Sequence, residues 1–180
     1  MLRTLGIIEY ASIAKGIEAT DRMVKSSQVE ILILSHFCPG KFLTIICGDV
    51  EEVKIAVEKS TGNDLDKVID SAIITNAHEE LITALKKRRV ITDYGAVGIF
   101  ETSNITSALI SLDSALKSSD IKLVKLVIGN GISGKSYFVV TGTVSCVEEA
   151  IAAAANSLKS KKIVYKTIIP SPDREILNNL

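Results

Sequence analysis

The sequence predicts an α+β chain made of two tandem copies of a βαββαβ unit, each with a four-stranded antiparallel sheet and its helices on one face. Three observations lead there: the 180 residues repeat internally, each half alternates short β-rich runs with stretches of helical spacing, and the composition supplies an aliphatic core. Apolar residues make up 47% of the chain while aromatic residues make up only 4%, so the core must be built from Ile, Val, Leu and Ala.

Displacing the sequence by 92 residues aligns positions 6–34 with 98–126, with nine identities in 29 positions and no gap. Among them are Gly6/Gly98, Glu9/Glu101, Ile13/Ile105, Asp21/Asp113 and Lys25/Lys117. The offset grows to 94 from Lys41/Lys135 through Gly48/Gly142 and Ala56/Ala150, so two residues are inserted between Leu126 and Lys135. It becomes 95 from Lys67/Lys162 to Glu80/Glu175. A solenoid unit runs about 20 to 50 residues, so two copies this long indicate a duplicated domain. The domains are placed at 1–89 and 90–180. No Pro/Gly/Ser linker separates them, and the charged join Lys86-Lys87-Arg88-Arg89 is expected to let them dock closely.

In the first half, residues 2–10 read as a strand with Gly6 inside it. Residues 13–25 read as a helix with apolar positions at Ile13, Ile17, Ala19/Thr20, Met23 and Val24 and with Ser12 as its N-cap. Residues 29–36 and 41–48 are β-rich runs separated by Phe37-Cys38-Pro39-Gly40, whose Pro and Gly make a hairpin turn. Asp49 is expected to cap a second helix over 50–59, with Val53, Ala56 and Val57 on one face. Residues 65–74 follow as a fourth strand, then a short helix near 79–87. The second half repeats this with strands at 90–101, 121–128, 136–142 and 162–169 and helices at 105–117 and 144–158, ending in Pro170-Ser171-Pro172. The order is that of the split βαβ, or ferredoxin-like, arrangement.

Charge narrows the function classes. Lys plus Arg and Asp plus Glu are each 21, giving a net charge of 21 − 21 = 0, which excludes the basic footprint of a dedicated nucleic-acid binder. A neutral chain also lacks the self-repulsion that keeps copies apart. No run reaches the roughly 18 apolar residues that span a bilayer, and the N-terminus lacks the apolar stretch of a secretion signal, so a cytoplasmic chain with no membrane partner is expected. Three cysteines make no disulfide framework here, which leaves reduced thiols available for metal.

The stretches GIIEYASIAKGIEATDRMVKSSQVEIL and GIFETSNITSALISLDSALKSSDIKLV, each followed by a hairpin and a G-x-V-x-x-V helix start, resemble the bacterial microcompartment shell domain. Two copies over essentially the whole chain resemble the tandem-domain class, and Cys38-Pro39-Gly40-Lys41 is the most specific short motif. The resemblance implies a structural shell tile rather than an enzyme: a pseudohexameric homotrimer with other shell proteins as lateral partners and a luminal redox enzyme as a candidate partner. It also implies that Lys25 and Lys117, each in the pattern Asp-x-x-x-Lys-Ser-Ser, lie at the tile edges, where an Asp four residues earlier on a helix can brace the lysine. Single-domain relatives often carry Pro-x-Pro-His after strand four; here Thr75-Asn76-Ala77-His78 and Pro170-Ser171-Pro172-Asp173 stand instead.

By the same resemblance the two hairpin loops shape a central pore, with Phe37, Pro39, Gly40 and Lys41 from one and Gly129, Asn130, Gly131, Ile132 and Ser133 from the other. An iron-sulfur cluster needs several thiolates, and the chain has no C-x-x-C. Threefold symmetry would turn one Cys38 per chain into three sulfurs. Soft thiolates suit iron-sulfur clusters, Zn or Cu(I), and the resemblance favours a 4Fe-4S cluster with its fourth iron left open. The expected role is electron transfer or cluster transport across the shell; the alternatives are a metal-free pore-forming tile and a duplicated ferredoxin-like metabolite-binding protein. Cys47 and Cys146 read as small buried side chains, and His36 and His78 as structural or solvated. The Walker spacing met by Gly129 to Ser136 joins two strands instead of opening a helix, so its context fails.

Overall fold

A computed structural model describes residues 4–61, 65–86 and 95–179. The chain divides into two compact units, Met1–Leu85 and Lys86–Leu180. The domain join expected at 89/90 and its basic stretch at 87–89 lie outside the described residues.

The first unit runs β1 (Thr4–Tyr10), α1 (Ile13–Ser26), β2 (Glu30–Phe37), β3 (Lys41–Gly48), α2 (Val50–Thr61), β4 (Val68–Ile74) and α3 (Glu79–Lys86). The second runs β5 (Ala96–Thr102), α4 (Ile105–Ser118), β6 (Lys122–Ile128), β7 (Ser136–Gly142), α5 (Val144–Asn156), β8 (Ile163–Ile169) and α6 (Arg174–Asn179). Strand order is β2-β3-β1-β4 in one sheet and β6-β7-β5-β8 in the other, and every pairing is antiparallel. The predicted α+β class and βαββαβ order are therefore what the chain adopts.

The two halves agree in detail. α1 and α4 are displaced by 92 residues at both ends, and the strand bulges at Glu9/Tyr10 and Ile31/Ile33 recur at Glu101/Thr102 and Leu123/Lys125. The fourth strands are shorter than the sequence suggests. Leu65–Lys67 and Ser160–Lys162 form 3-10 turns, and the Lys67 and Lys162 carbonyls accept from Ala11 N–H at 2.8 Å and Ser103 N–H at 3.0 Å. Those backbone groups close onto the loop that follows the first strand of each unit, so ladder pairing begins only afterwards.

Helix starts follow the expected chemistry. Ser12 Oγ accepts from Lys15 N–H, Asn104 Oδ1 from Ser107 N–H and Thr143 Oγ1 from Cys146 N–H. Asp49 opens α2 through its backbone carbonyl, which accepts from Val53 N–H at 2.9 Å. α6 follows Pro170 and Pro172 and starts 95 residues after α3. His78 Nδ1 accepts from Glu80 N–H at 3.3 Å, and Asp173 Oδ1, at the matching position, accepts from Glu175 N–H at 2.8 Å. His78 thus has a structural role at a helix start.

The first unit's helix-side core joins Ile8 and Tyr10 of β1, Ala19 and Met23 of α1, Phe42 and Ile46 of β3, and Val53, Ala56 and Val57 of α2. Each fully buried large apolar side chain stabilises by about 1.5–3 kcal/mol. Gly6 and Gly98 recur because the following helix packs directly on the strand. A Cβ at Gly6 would lie 3.0 Å from Val53 Cγ1, and one at Gly98 would lie 2.8 Å from Val147 Cγ1.

A second glycine is compensated differently in the two halves. A Cβ on Gly16 of α1 would collide with the Phe42 ring, whereas the matching pair in the second unit is Ala108 and Ser136. Aromatic volume moves two residues along the strand instead, to Phe138 stacked on Phe100 at 5.4 Å. Gly16→Ala is therefore expected to cost about 1–3 kcal/mol by overpacking. In thermal melts, combining it with Phe42→Ala should lower stability by less than the sum of the two single changes.

Candidate functional site

The hairpin between β2 and β3 ends in a three-residue turn whose anchor and tip are different side chains. Phe37 is buried and Lys41 Nζ lies 5.9 Å from its ring centroid, while Cys38, Pro39 and Gly40 are exposed. Gly40 has φ +73°, a conformation that favours glycine, and no atom lies within 4 Å of the place a Cβ would occupy. The turn thus holds the Cys38 thiol out in open space on an aromatic footing. His36 is exposed two residues earlier.

The matching loop between β6 and β7 is longer and carries no thiol. Gly129, Gly131, Ser133 and Gly134 all have positive φ, and the loop closes on itself through Gly129 N–H to Lys135 O at 3.0 Å and Lys135 N–H to Ile132 O at 3.0 Å. Asn130, Gly131 and Ser133 are exposed and Ile132 is half-buried. The loop leads into a strand, so the Walker spacing has no phosphate-binding helix behind it.

Among the described residues no group of three or more His, Cys, Asp or Glu side chains could hold a metal ion. No disulfide joins the three cysteines: Cys38 is exposed, Cys47 is buried with its thiol 3.6 Å from Glu30 Oε2, and Cys146 is half-buried at the start of α5. One chain therefore offers a single accessible thiolate donor at the hairpin tip. A cluster needing several soft ligands fits this donor set only if several copies present Cys38 to a common point.

The bracing of the two candidate edge lysines is formed in both halves. Lys25 Nζ lies 2.7 Å from Asp21 Oδ2 and Lys117 Nζ 2.5 Å from Asp113 Oδ2. The surroundings differ: Asp21 is exposed, whereas Asp113 is buried. An exposed pair contributes about 0–1 kcal/mol, whereas a hydrogen bond to a buried charged group contributes about 1.5–3 kcal/mol. Lys117→Ala is accordingly expected to lower the melting temperature by several degrees and Lys25→Ala to leave it nearly unchanged, as differential scanning calorimetry would read.

The surface also carries apolar residues that helical spacing alone does not place there. The apolar positions of α1 fall on two faces: Gly16, Ala19, Thr20 and Met23 are buried, but Ile13, Ile17 and Val24 are exposed. Their equivalents in α4, Ile105, Leu109 and Leu116, are buried; the contrast is 52% exposure at Ile17 against 0% at Leu109. The sheet face away from the helices shows the reverse. Ile7, Glu9 and Leu43 are buried in the first unit, while Ile99, Glu101 and Tyr137 are only half-buried in the second and Tyr165 beside them is 68% exposed. The available signal was that α1 carries apolar residues around more than one stripe, which a helix covered on one side does not require.

Comparison with known proteins agrees with this architecture. A model of the BMC domain matches residues 4–77 and 96–172. The chain is 39% identical over 173 residues to the bacterial microcompartment shell protein PduT of Citrobacter freundii, covering 96% of this chain and 94% of that one. It is 26% identical to the carboxysome assembly protein CcmO of Synechococcus elongatus, over 98% of this chain and 68% of that protein. A microcompartments protein from Desulfitobacterium hafniense DCB has a crystal structure that superposes with a TM-score of 0.88 at 37% identity, covering 99% of both chains. The fused permuted hexameric shell protein MSM0275 shares the fold, with a TM-score of 0.65 at 21% identity over 86% of this chain and 83% of that one. With both of its units matched and its relatives aligned along nearly its whole length, the chain belongs to the BMC domain family of bacterial microcompartment shell proteins.

Proposed function

We propose that this chain is a trimeric shell tile that gathers three Cys38 thiolates around a threefold axis to hold a 4Fe-4S cluster. The chain is a structural shell protein of a bacterial microcompartment and not an enzyme. No described helix is long and apolar enough to cross a membrane.

The observation that carries the trimer is the mismatch between equivalent faces. Surface that is covered in one half of the chain is open in the other, on the α1 side of the first unit and on the sheet side of the second. Two different open faces on one molecule make a head-to-tail contact, and such a contact closes into a ring when the rotation permits. Three chains bring six BMC domains, matching the six of a single-domain hexamer. Neighbouring shell proteins would then meet at edges bearing Lys25 and Lys117.

For the cluster, the supporting observation is an exposed thiol on an anchored turn in one half and a cysteine-free glycine loop at the matching place in the other. Cys38 would be the ligand from each copy, with Pro39 and Gly40 shaping the approach. Phe37 is buried at the base of the turn, with Lys41 Nζ 5.9 Å from its ring centroid. A bound 4Fe-4S cluster supplies one-electron redox chemistry, which suits electron transfer or cluster delivery through the wall and exchange with a luminal redox enzyme. The test is the chain purified without oxygen. Light scattering should give the mass of three chains, and iron and sulfide analysis should give one cluster per three. A colourless trimer would leave a metal-free pore tile.

A further inference from the structure

Resting on the assembly reading above, we infer that opposite charge on the two units makes copies of this chain join first unit to second and rejects contacts between like units. The chain is neutral only as a sum. Residues 1–85 carry 8 Lys and Arg against 13 Asp and Glu, a net of 8 − 13 = −5, and residues 86–180 carry 13 against 8, a net of 13 − 8 = +5. Lys86, Lys87, Arg88 and Arg89 of the join supply four of those cations; without them the second unit stands at 9 − 8 = +1, still opposite in sign to the first.

The difference is built into equivalent positions. Glu30 opens β2 where Lys122 opens β6, Asp66 is the middle residue of a 3-10 turn where Lys161 is, and Glu79 opens α3 where Arg174 opens α6. All six are exposed. Among the described residues Glu79, Lys122, Lys161 and Arg174 make no side-chain ion pair or hydrogen bond, and the Glu30 carboxylate meets the Cys47 thiol at 3.6 Å. Lys135 is by contrast held by Glu101 at 3.1 Å, and Lys54, which reverses in the opposite sense against Glu148, is held by Glu51 at 2.8 Å. Lys122 lines one hollow with Ser171 and Pro172, and Arg174 follows two residues later, so two of the unspent cations belong to one region of the second unit. Complementary charge steers an encounter and fixes which surfaces meet, while like charge rejects the wrong pairing. Exposed charges are screened beyond about 8 Å at physiological ionic strength, so the preference weakens as salt rises.

The experiment exchanges charges in the full chain and follows a dilution series by fluorescence-detected sedimentation at low and at high salt. Glu30→Lys with Glu79→Arg installs in the first unit the residues that the second already carries at the same places, so far-UV circular dichroism should match wild type.

At low salt this double variant is expected to dissociate at a concentration about tenfold or more above that of wild type, and the gap should narrow at high salt. Adding Lys122→Glu and Arg174→Glu, which completes the exchange, should return dissociation to about the wild-type concentration. Should the double variant fold poorly, Glu30→Gln with Glu79→Gln removes the charge alone and is expected to weaken association in the same direction. First-unit variants that associate as tightly as wild type overturn the inference, and so does a loss that the completed exchange fails to recover, because those charges would then not meet a second unit. Either result beside a wild-type trimer leaves the assembly reading in place. A wild type that stays a single chain at every concentration overturns both.

Discussion

Ile17→Asp is expected to give a folded chain that no longer associates. Ile17 is exposed in the isolated chain, so the change removes no internal packing, and far-UV circular dichroism should match wild type. In the ring the same side chain would lie inside an apolar contact with Ile13 and Val24. Losing its burial forfeits about 1.5–3 kcal/mol, and desolvating a carboxylate there costs several more. Each factor of ten in affinity is about 1.4 kcal/mol, so the trimer should weaken by three orders of magnitude or more. Light scattering at micromolar concentration should report one chain in place of three. Iron content should fall with it, because separated Cys38 thiolates cannot share a cluster. A full-sized trimer from this variant would show that α1 is not the contact.

Cys38→Ser separates the metal from the assembly. The hydroxyl is nearly the size of the thiol, and Cys38 is exposed at a turn, so the mass of three chains should persist. Serine offers no soft thiolate at neutral pH, and three hard hydroxyls are poor ligands for an iron-sulfur cluster. Visible absorption, the EPR signal of the reduced state and acid-labile sulfide should all vanish. Cys146→Ser should retain them, since Cys146 belongs to a helix start and shares no metal-binding group among the described residues. Iron retained by Cys38→Ser, or lost from Cys146→Ser, would move the ligand away from the hairpin tip.

The hairpin and the Asp–Lys pairs of α1 and α4 were legible because their chemistry is local. Cys38-Pro39-Gly40 signals a turn by composition, and an Asp four residues before a Lys predicts an ion pair on any helix. The exposed face of α1 was not legible. Ile13, Ile17 and Val24 carry the same helical spacing as Met23, and spacing alone cannot distinguish a face turned to its own sheet from one left open. Glu101 and Lys135 escaped for a related reason: they are 34 residues apart and meet only through strand pairing.

From the sequence alone came the duplication, the order of strands and helices, the caps at Ser12 and the family of the chain. These depend on short-range periodicity, backbone preference and side-chain chemistry, which a linear string carries in full. Tertiary structure decided which of two equivalent faces is covered, why Glu9 is buried while Glu101 meets solvent, and where Phe42 must face Gly16. Burial is a property of distant segments brought together. Two stretches related by duplication can therefore share their order of strands and helices and still differ in what they leave exposed.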